Sequence, residues 1–210
     1  MEKDSLERFR SYAVNFKVED RDLVDDPEDR DLVCEFKGDV VFLDDDKTIV
    51  VGKVRGQRVE LGEAEERGSS LFDVFDAQSE ELCGYYETLF DRHTGDLLDG
   101  FDLSVIGDLL VVHEISIVPK YQGLNLGLLT MLQTFRTFGG GCALVAIKPF
   151  PLQFTGKVNK KNERKFNMAQ GKLRDYWSQL GFRRVRKTDY YYFPLERKLP
   201  SLEGICGKRK

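Results

Sequence analysis

The stretch from Asp108 to Gly141 constrains this chain more than any other, because a buried strand, a glycine-bearing turn and an amphipathic helix follow one another in it. DLLVVHEISIV, residues 108–118, is apolar and β-branched at a length suited to a central strand, and Pro119, which has no amide hydrogen, ends it. From Leu124 to Phe138 the residues Leu124, Leu128, Met131, Leu132, Phe135 and Phe138 recur at helical spacing, and glycines 139–141 stop the helix. The turn between them is VPKYQGLNLG. A helix start leaves amide hydrogens unpaired, and the helix dipole favours an anion there. Gly123 and Gly127 keep Cβ atoms out of the way, and Asn125 is, after glycine, among the residues that best tolerate a positive φ. The turn is thus suited to wrapping a pyrophosphate, although paired glycines in such turns also serve packing alone.

The rest of the chain reads as one folded domain over residues 31–200, with an acidic arm or edge strand at 1–30 and a basic tail at 201–210. LVCEFKGDVVFLD, KTIVVGKVRG and QRVEL predict three adjacent antiparallel strands separated by Asp-rich or Gly-containing turns. Ser70 is placed to cap a helix running through Phe90, with Gly84 as its weak middle, and HTGDLLDG reads as a turn. After the central helix, CALVAIK (142–148) predicts a second buried strand, and PFPLQ an extended segment poor in ladder bonds. Residues 163–180 predict a second helix closed by Gly181, and 182–186 and 190–195 two short closing strands.

Charge divides the chain. Residues 1–110 hold 30 Asp or Glu against 13 Lys or Arg, and residues 111–210 hold 6 against 19. Mutual attraction of the halves explains this, as does an anionic ligand on the basic half facing a cationic one on the acidic half. The overall charge of −4 and the lack of a base-reading motif argue against a nucleic-acid partner. No apolar run is long enough to span a bilayer and the first residues do not resemble a signal peptide, so a cytoplasmic protein without a membrane partner is expected. Four dispersed cysteines and two histidines suggest reduced thiols and no metal site.

Gln122-Gly123-Leu124-Asn125-Leu126-Gly127, after Val118-Pro119-Lys120-Tyr121, resembles the acyl-CoA motif of the GNAT superfamily, written Q or R, x, x, G or A, x, G or A, with Asn125 as the one departure. Tyr176-Trp177-Ser178-Gln179-Leu180-Gly181-Phe182 is similar to the superfamily's late helix and its Y, x, x, x, G, F ending. The resemblance covers residues 108–195 well. The N-terminal half departs, because strands come first and the main helix directly precedes the central strand. What it implies is an α/β fold with a mixed, mostly antiparallel sheet and helices on both faces, whose strands 108–118 and 142–148 splay apart. It also implies acetyl-CoA as acyl donor, held by Gln122, Gly123, Leu124, Asn125, Leu126 and Gly127 with backbone groups near Ile117 and Val118, and a primary amine as acceptor, for which the acidic N-terminal half suggests a cationic one.

Acyl transfer to an amine needs a base, a polarised thioester and an acid for the leaving thiolate. Glu114, a carboxylate on a mostly apolar strand, is the first candidate base; a strand-end salt bridge is its alternative role. His113 is the second, and strict alternation along a strand puts it on the opposite face. The tyrosine that the resemblance implies as general acid falls at Trp177, which is no proton source, so Tyr176, one residue earlier, is the candidate, with a core aromatic as its alternative. A module that holds acyl-CoA without turning it over is the rival function. The basic residues Lys157, Lys160, Lys161, Arg164, Lys165, Lys172 and Arg174 read as a solvated face, some within reach of a coenzyme A phosphate.

Overall fold

The computed structural model describes residues 12–18, 32–44, 47–98, 100–101, 107–154 and 159–201. The basic tail beyond Ser201, most of the acidic arm and Lys157 lie outside the described residues. Seven strands form one sheet in the order β1-β2-β3-β4-β5-β7-β6: β1 Tyr12–Val18, β2 Val33–Asp44, β3 Lys47–Val59, β4 Asp108–Ile117, β5 Cys142–Ile147, β6 Arg183–Arg184 and β7 Tyr191–Pro194. Every neighbouring pair is antiparallel except β4 with β5. Helices α1 (Leu61–Arg67), α2 (Leu71–Asp76) and α3 (Glu80–Leu89) cover one face, and α4 (Leu126–Phe138) and α5 (Glu163–Ser178) the other. The mixed, mostly antiparallel sheet with helices on both faces is therefore present.

Alternation along the central strand divides the core. Leu109 and Val111 pack toward α1–α3 with Phe75, Leu82 and Tyr85, while Leu110 and Val112 pack toward α4 and α5 with Leu128, Met131 and Trp177. Each such side chain, fully buried, contributes about 1.5–3 kcal/mol of transfer free energy. Helix α4 is buried almost all round, and its two buried threonines are satisfied internally: Thr130 Oγ1 donates to Leu126 O at 2.8 Å and Thr134 Oγ1 to Thr130 O at 2.9 Å.

Two expectations for the N-terminal half are corrected. KTIVVGKVRG and QRVEL are one strand, β3, because Gly56 is no turn: a Cβ there would lie 2.4 Å from both the Phe36 ring and Val111 O. The third antiparallel strand is β1, out of the arm, which pairs with β2 from Tyr12↔Phe42 to Val18↔Phe36. The single helix expected over 70–90 is two. Ser70 accepts from Asp73 N and caps α2; Ser79 accepts from Leu82 N and starts α3. Gly84 breaks neither, and its missing Cβ makes room for Tyr190 Oη, which would be 2.5 Å away.

Candidate active site

The site begins where β4 and β5 part. Their parallel ladder runs from Asp108↔Cys142 to Val112↔Ile147. Beyond it β4 continues to Ile117 against β3, whereas β5 passes into Lys148-Pro149-Phe150-Pro151, whose prolines have no amide to offer. The prolines thus end the pairing and leave a gap. On the α4–α5 face this gap opens into a cleft of about 560 Å³, lined by Ile115–Ile117, by the turn from Pro119 to Gly127, by Phe150–Gln153, and by Lys172, Tyr176 and Trp177 of α5. A separate recess of about 40 Å³ shares Phe150 and Trp177 with this cleft and is lined also by His113, Glu114 and Lys148.

The turn has the geometry its residues predict. Gly123 adopts φ +79° and Asn125 φ +58°, both left-handed, and Asn125 is the N-cap of α4. Among the described residues nothing lies within 4 Å of where a Cβ on Gly123 would stand, so this glycine is required by its backbone angle and the space above it is open to them. Gly127 is different. A Cβ there would stand 2.8 Å from Tyr176 Oη, so this glycine lets the tyrosine close on the helix start, where Leu128 N donates to Tyr176 Oη at 3.1 Å. Two backbone groups expected to meet a ligand already have partners: Gln122 Nε2 donates to Ile117 O at 2.9 Å, and Val118 N donates to Val51 O at 2.9 Å. The Ile117 carbonyl keeps a second lone pair, whereas the Val118 amide is committed to β3. Leu124 and Leu126 turn inward and join Val40, Val51 and Leu129 in a small core beneath the turn.

Burial pushes the Tyr176 phenol up to about 12, against the opposing pull of the Leu128 and Gly127 amides. It is therefore neutral, and since its oxygen accepts from the helix, its own proton remains to be donated. Trp177 is buried at the junction of cleft and recess. Of the basic residues, Lys172 lines the cleft, while Arg174 is turned away into contacts with Gln170 Oε1 and Asp189 Oδ1.

The expected opposition of His113 and Glu114 is not found. The β3–β4 register jumps from Arg55↔Glu114 to Gly56↔Val112, so His113 is the extra residue of a β-bulge. The bulge resets the alternation. His113 and Glu114 both reach the α3 face, where they meet Arg55, Gln57 and Glu81. His113 Nε2 donates to Gln57 Oε1 at 2.6 Å, and Gln57 Nε2 donates in turn to Glu35 Oε1 at 2.7 Å. His113 Nδ1 comes within 3.1 Å of Glu81 Oε1 but off the line of a directed hydrogen bond. Both ring nitrogens thus face oxygens, and neither is left for a substrate. Glu114 is less engaged: its side chain is 34% exposed and, among the described residues, its one ion-pair approach is Arg55 Nε at 3.7 Å.

Glu81 is the site residue that sequence reasoning missed. His113 first, and Arg55 after it, hold its carboxyl down to about 2 against the opposing effect of burial. The readable signal is its place in the first turn of a Ser-capped helix directly before the central strand, but nothing in the sequence shows which strand residue it faces. Among the described residues no cluster of side chains is fit to hold a metal, and no helix is long and apolar enough to cross a membrane.

No protein-family model matches the chain, and no curated protein matches it. Among solved structures it superposes on a chain of "The crystal structure of KacTA-DNA complex" with a TM-score of 0.42 and 10% identity, covering 79% of this chain and 69% of that one.

Proposed function

We propose that the protein is an N-acetyltransferase of the GNAT type, moving an acetyl group from acetyl-CoA to a primary amine. The observation that carries the reading is adjacency: the cleft at an anion-suited turn and helix start shares a wall, Ile115, Phe150 and Trp177, with a recess that the Glu114 carboxylate lines at the gap between two parted strands. The open space over Gly123, the left-handed Asn125 and the start of α4 suit a pyrophosphate, with Lys172 as a nearby cation. The thioester supplies the activated carbonyl. Glu114 takes a proton from the ammonium form of the acceptor, so that an N–H bond breaks and a carboxyl O–H bond forms. The freed lone pair attacks the carbonyl carbon, the C–S bond breaks, the thiolate receives the Tyr176 proton, and the proton still carried by the new amide nitrogen leaves through water and restores the phenol. Glu35, Glu81 and Glu114 border the acceptor side, which favours cationic amines at low salt.

A second reading, a module that binds acyl-CoA without turnover, draws on Trp177 at the position where an acid is expected and on the Tyr176 hydroxyl already bonded to α4. One experiment decides. Calorimetry with acetyl-CoA is run beside a thiol-release assay over cationic, neutral and acidic amines. Heat with turnover supports the enzyme, heat without turnover supports the module, and neither sinks both.

A further inference from the structure

Two carboxylates share one guanidinium beside the gap. Arg55 Nη2 donates to Glu81 Oε2 at 3.3 Å, whereas Arg55 Nε stands 3.7 Å from Glu114 Oε2, too far for a hydrogen bond. The other Glu81 oxygen lies 3.1 Å from His113 Nδ1, so each of its oxygens has a nitrogen close by. The remaining polar neighbours do not change this division. Gln57 is committed to His113 and Glu35, and among the described residues the buried Tyr85 hydroxyl on α3 meets no partner in good hydrogen-bond geometry.

A carboxylate that receives a charge-assisted hydrogen bond from arginine is a poor proton acceptor, because the bond stabilises its ionised form. Glu114 would be in that state if Arg55 had no better partner. Resting on the acetyltransferase reading, we infer that Glu81 is a positioning residue for Glu114: by drawing the Arg55 guanidinium onto itself, it leaves the Glu114 lone pairs free to take the acceptor's proton. In this role Glu81 does not itself exchange a proton with the acceptor. It acts through Arg55, and its effect depends on Arg55 being present.

That dependence gives the test. In Glu81→Gln, Arg55 should close on Glu114 to below about 3.2 Å in a crystal structure. Its kcat should fall about tenfold against the best amine, with the acetyl-CoA dissociation constant unchanged. The double variant Arg55→Gln/Glu81→Gln should recover kcat to within about threefold of wild type, which no loss of structural support at Glu81 would allow. Glu81→Asp, which keeps the charge, should sit between wild type and Glu81→Gln. An Arg55 that stays away from Glu114 in Glu81→Gln, or a double variant as slow as the single one, overturns the inference while the enzyme stands. A wild type with no turnover on any amine removes the enzyme reading, and the positioning role with it.

Discussion

The two ends of the cleft are built from different materials. At the turn, the geometry is held by the backbone, through Gly123 and Asn125 at positive φ and a helix start beyond them. At the recess it is held by side chains, through a chain of contacts from Glu35 and Gln57 to His113, Glu81, Arg55 and Glu114. A backbone site is indifferent to most side chains and intolerant of a Cβ in the wrong place. A side-chain site tolerates small shifts of backbone and is sensitive to a single charge.

The largest effect should therefore come from one carbon at the turn. Gly123→Val puts a branched side chain on a residue at φ +79° and fills the open space above it, so acetyl-CoA affinity should drop about a hundredfold or more by calorimetry, with the protein still folded. Gly127→Val should lose binding too and should also cost about 1–3 kcal/mol of stability, because its Cβ displaces Tyr176. Unchanged affinity in both variants breaks the backbone side of the comparison.

At the recess the fold should not notice the change, but turnover should. Glu114→Gln keeps the shape and loses the basicity, so kcat should fall about a hundredfold or more with acetyl-CoA affinity intact, and the defect should shrink at higher pH as the amine deprotonates unaided. His113→Gln turnover falling further than that of Glu114→Gln would move the base to the bulge residue.

Tyr176 touches both ends, so its removal should show at both. If Tyr176 is the proposed general acid, Tyr176→Phe should lower kcat about tenfold. It should also cost about 1 kcal/mol of stability for the lost bond to Leu128 N. A stability loss without any change in kcat assigns the tyrosine to the helix start alone.

The smallest effect concerns Glu81 and acid. Its carboxyl is held down to about 2 from an ordinary 4.5, so the folded state binds its proton later than the unfolded state does. The stability it contributes is complete above an ordinary carboxyl's pKa and is lost as the pH falls through the folded value. The Tm advantage of wild type over Glu81→Gln should accordingly be full near about pH 6 and smaller near about pH 3. An advantage that grows toward acid contradicts the contacts to His113 and Arg55.

This division also explains what could be read from the chain alone. The β4–turn–α4 unit was legible because Pro119, Gly123, Asn125 and the glycines after Phe138 each encode a backbone conformation locally. Gly56 and Gly84 misled for the converse reason: their glycines answer to Phe36, Val111 and Tyr190, which are distant in sequence. The bulge at His113 left no mark at all, since a histidine in an extra strand position looks like any other strand residue. The phase of Glu114 was therefore beyond reach, and Glu81 with it, because a helix residue's partner across a sheet depends on that phase.

The chain has a single tryptophan, and it stands at the junction of cleft and recess. Trp177 is 7% exposed, with the Tyr176 ring centroid 5.0 Å from its own and Phe182 on another side. Its emission comes from one place, with no second indole to dilute it. The molecule thus carries its own optical gauge: on the acetyltransferase reading, a thioester entering the cleft would change the surroundings of the one fluorophore excited at the red edge of protein absorption. Occupancy can then be followed in unlabelled protein on the millisecond scale of mixing, before any acceptor has been identified.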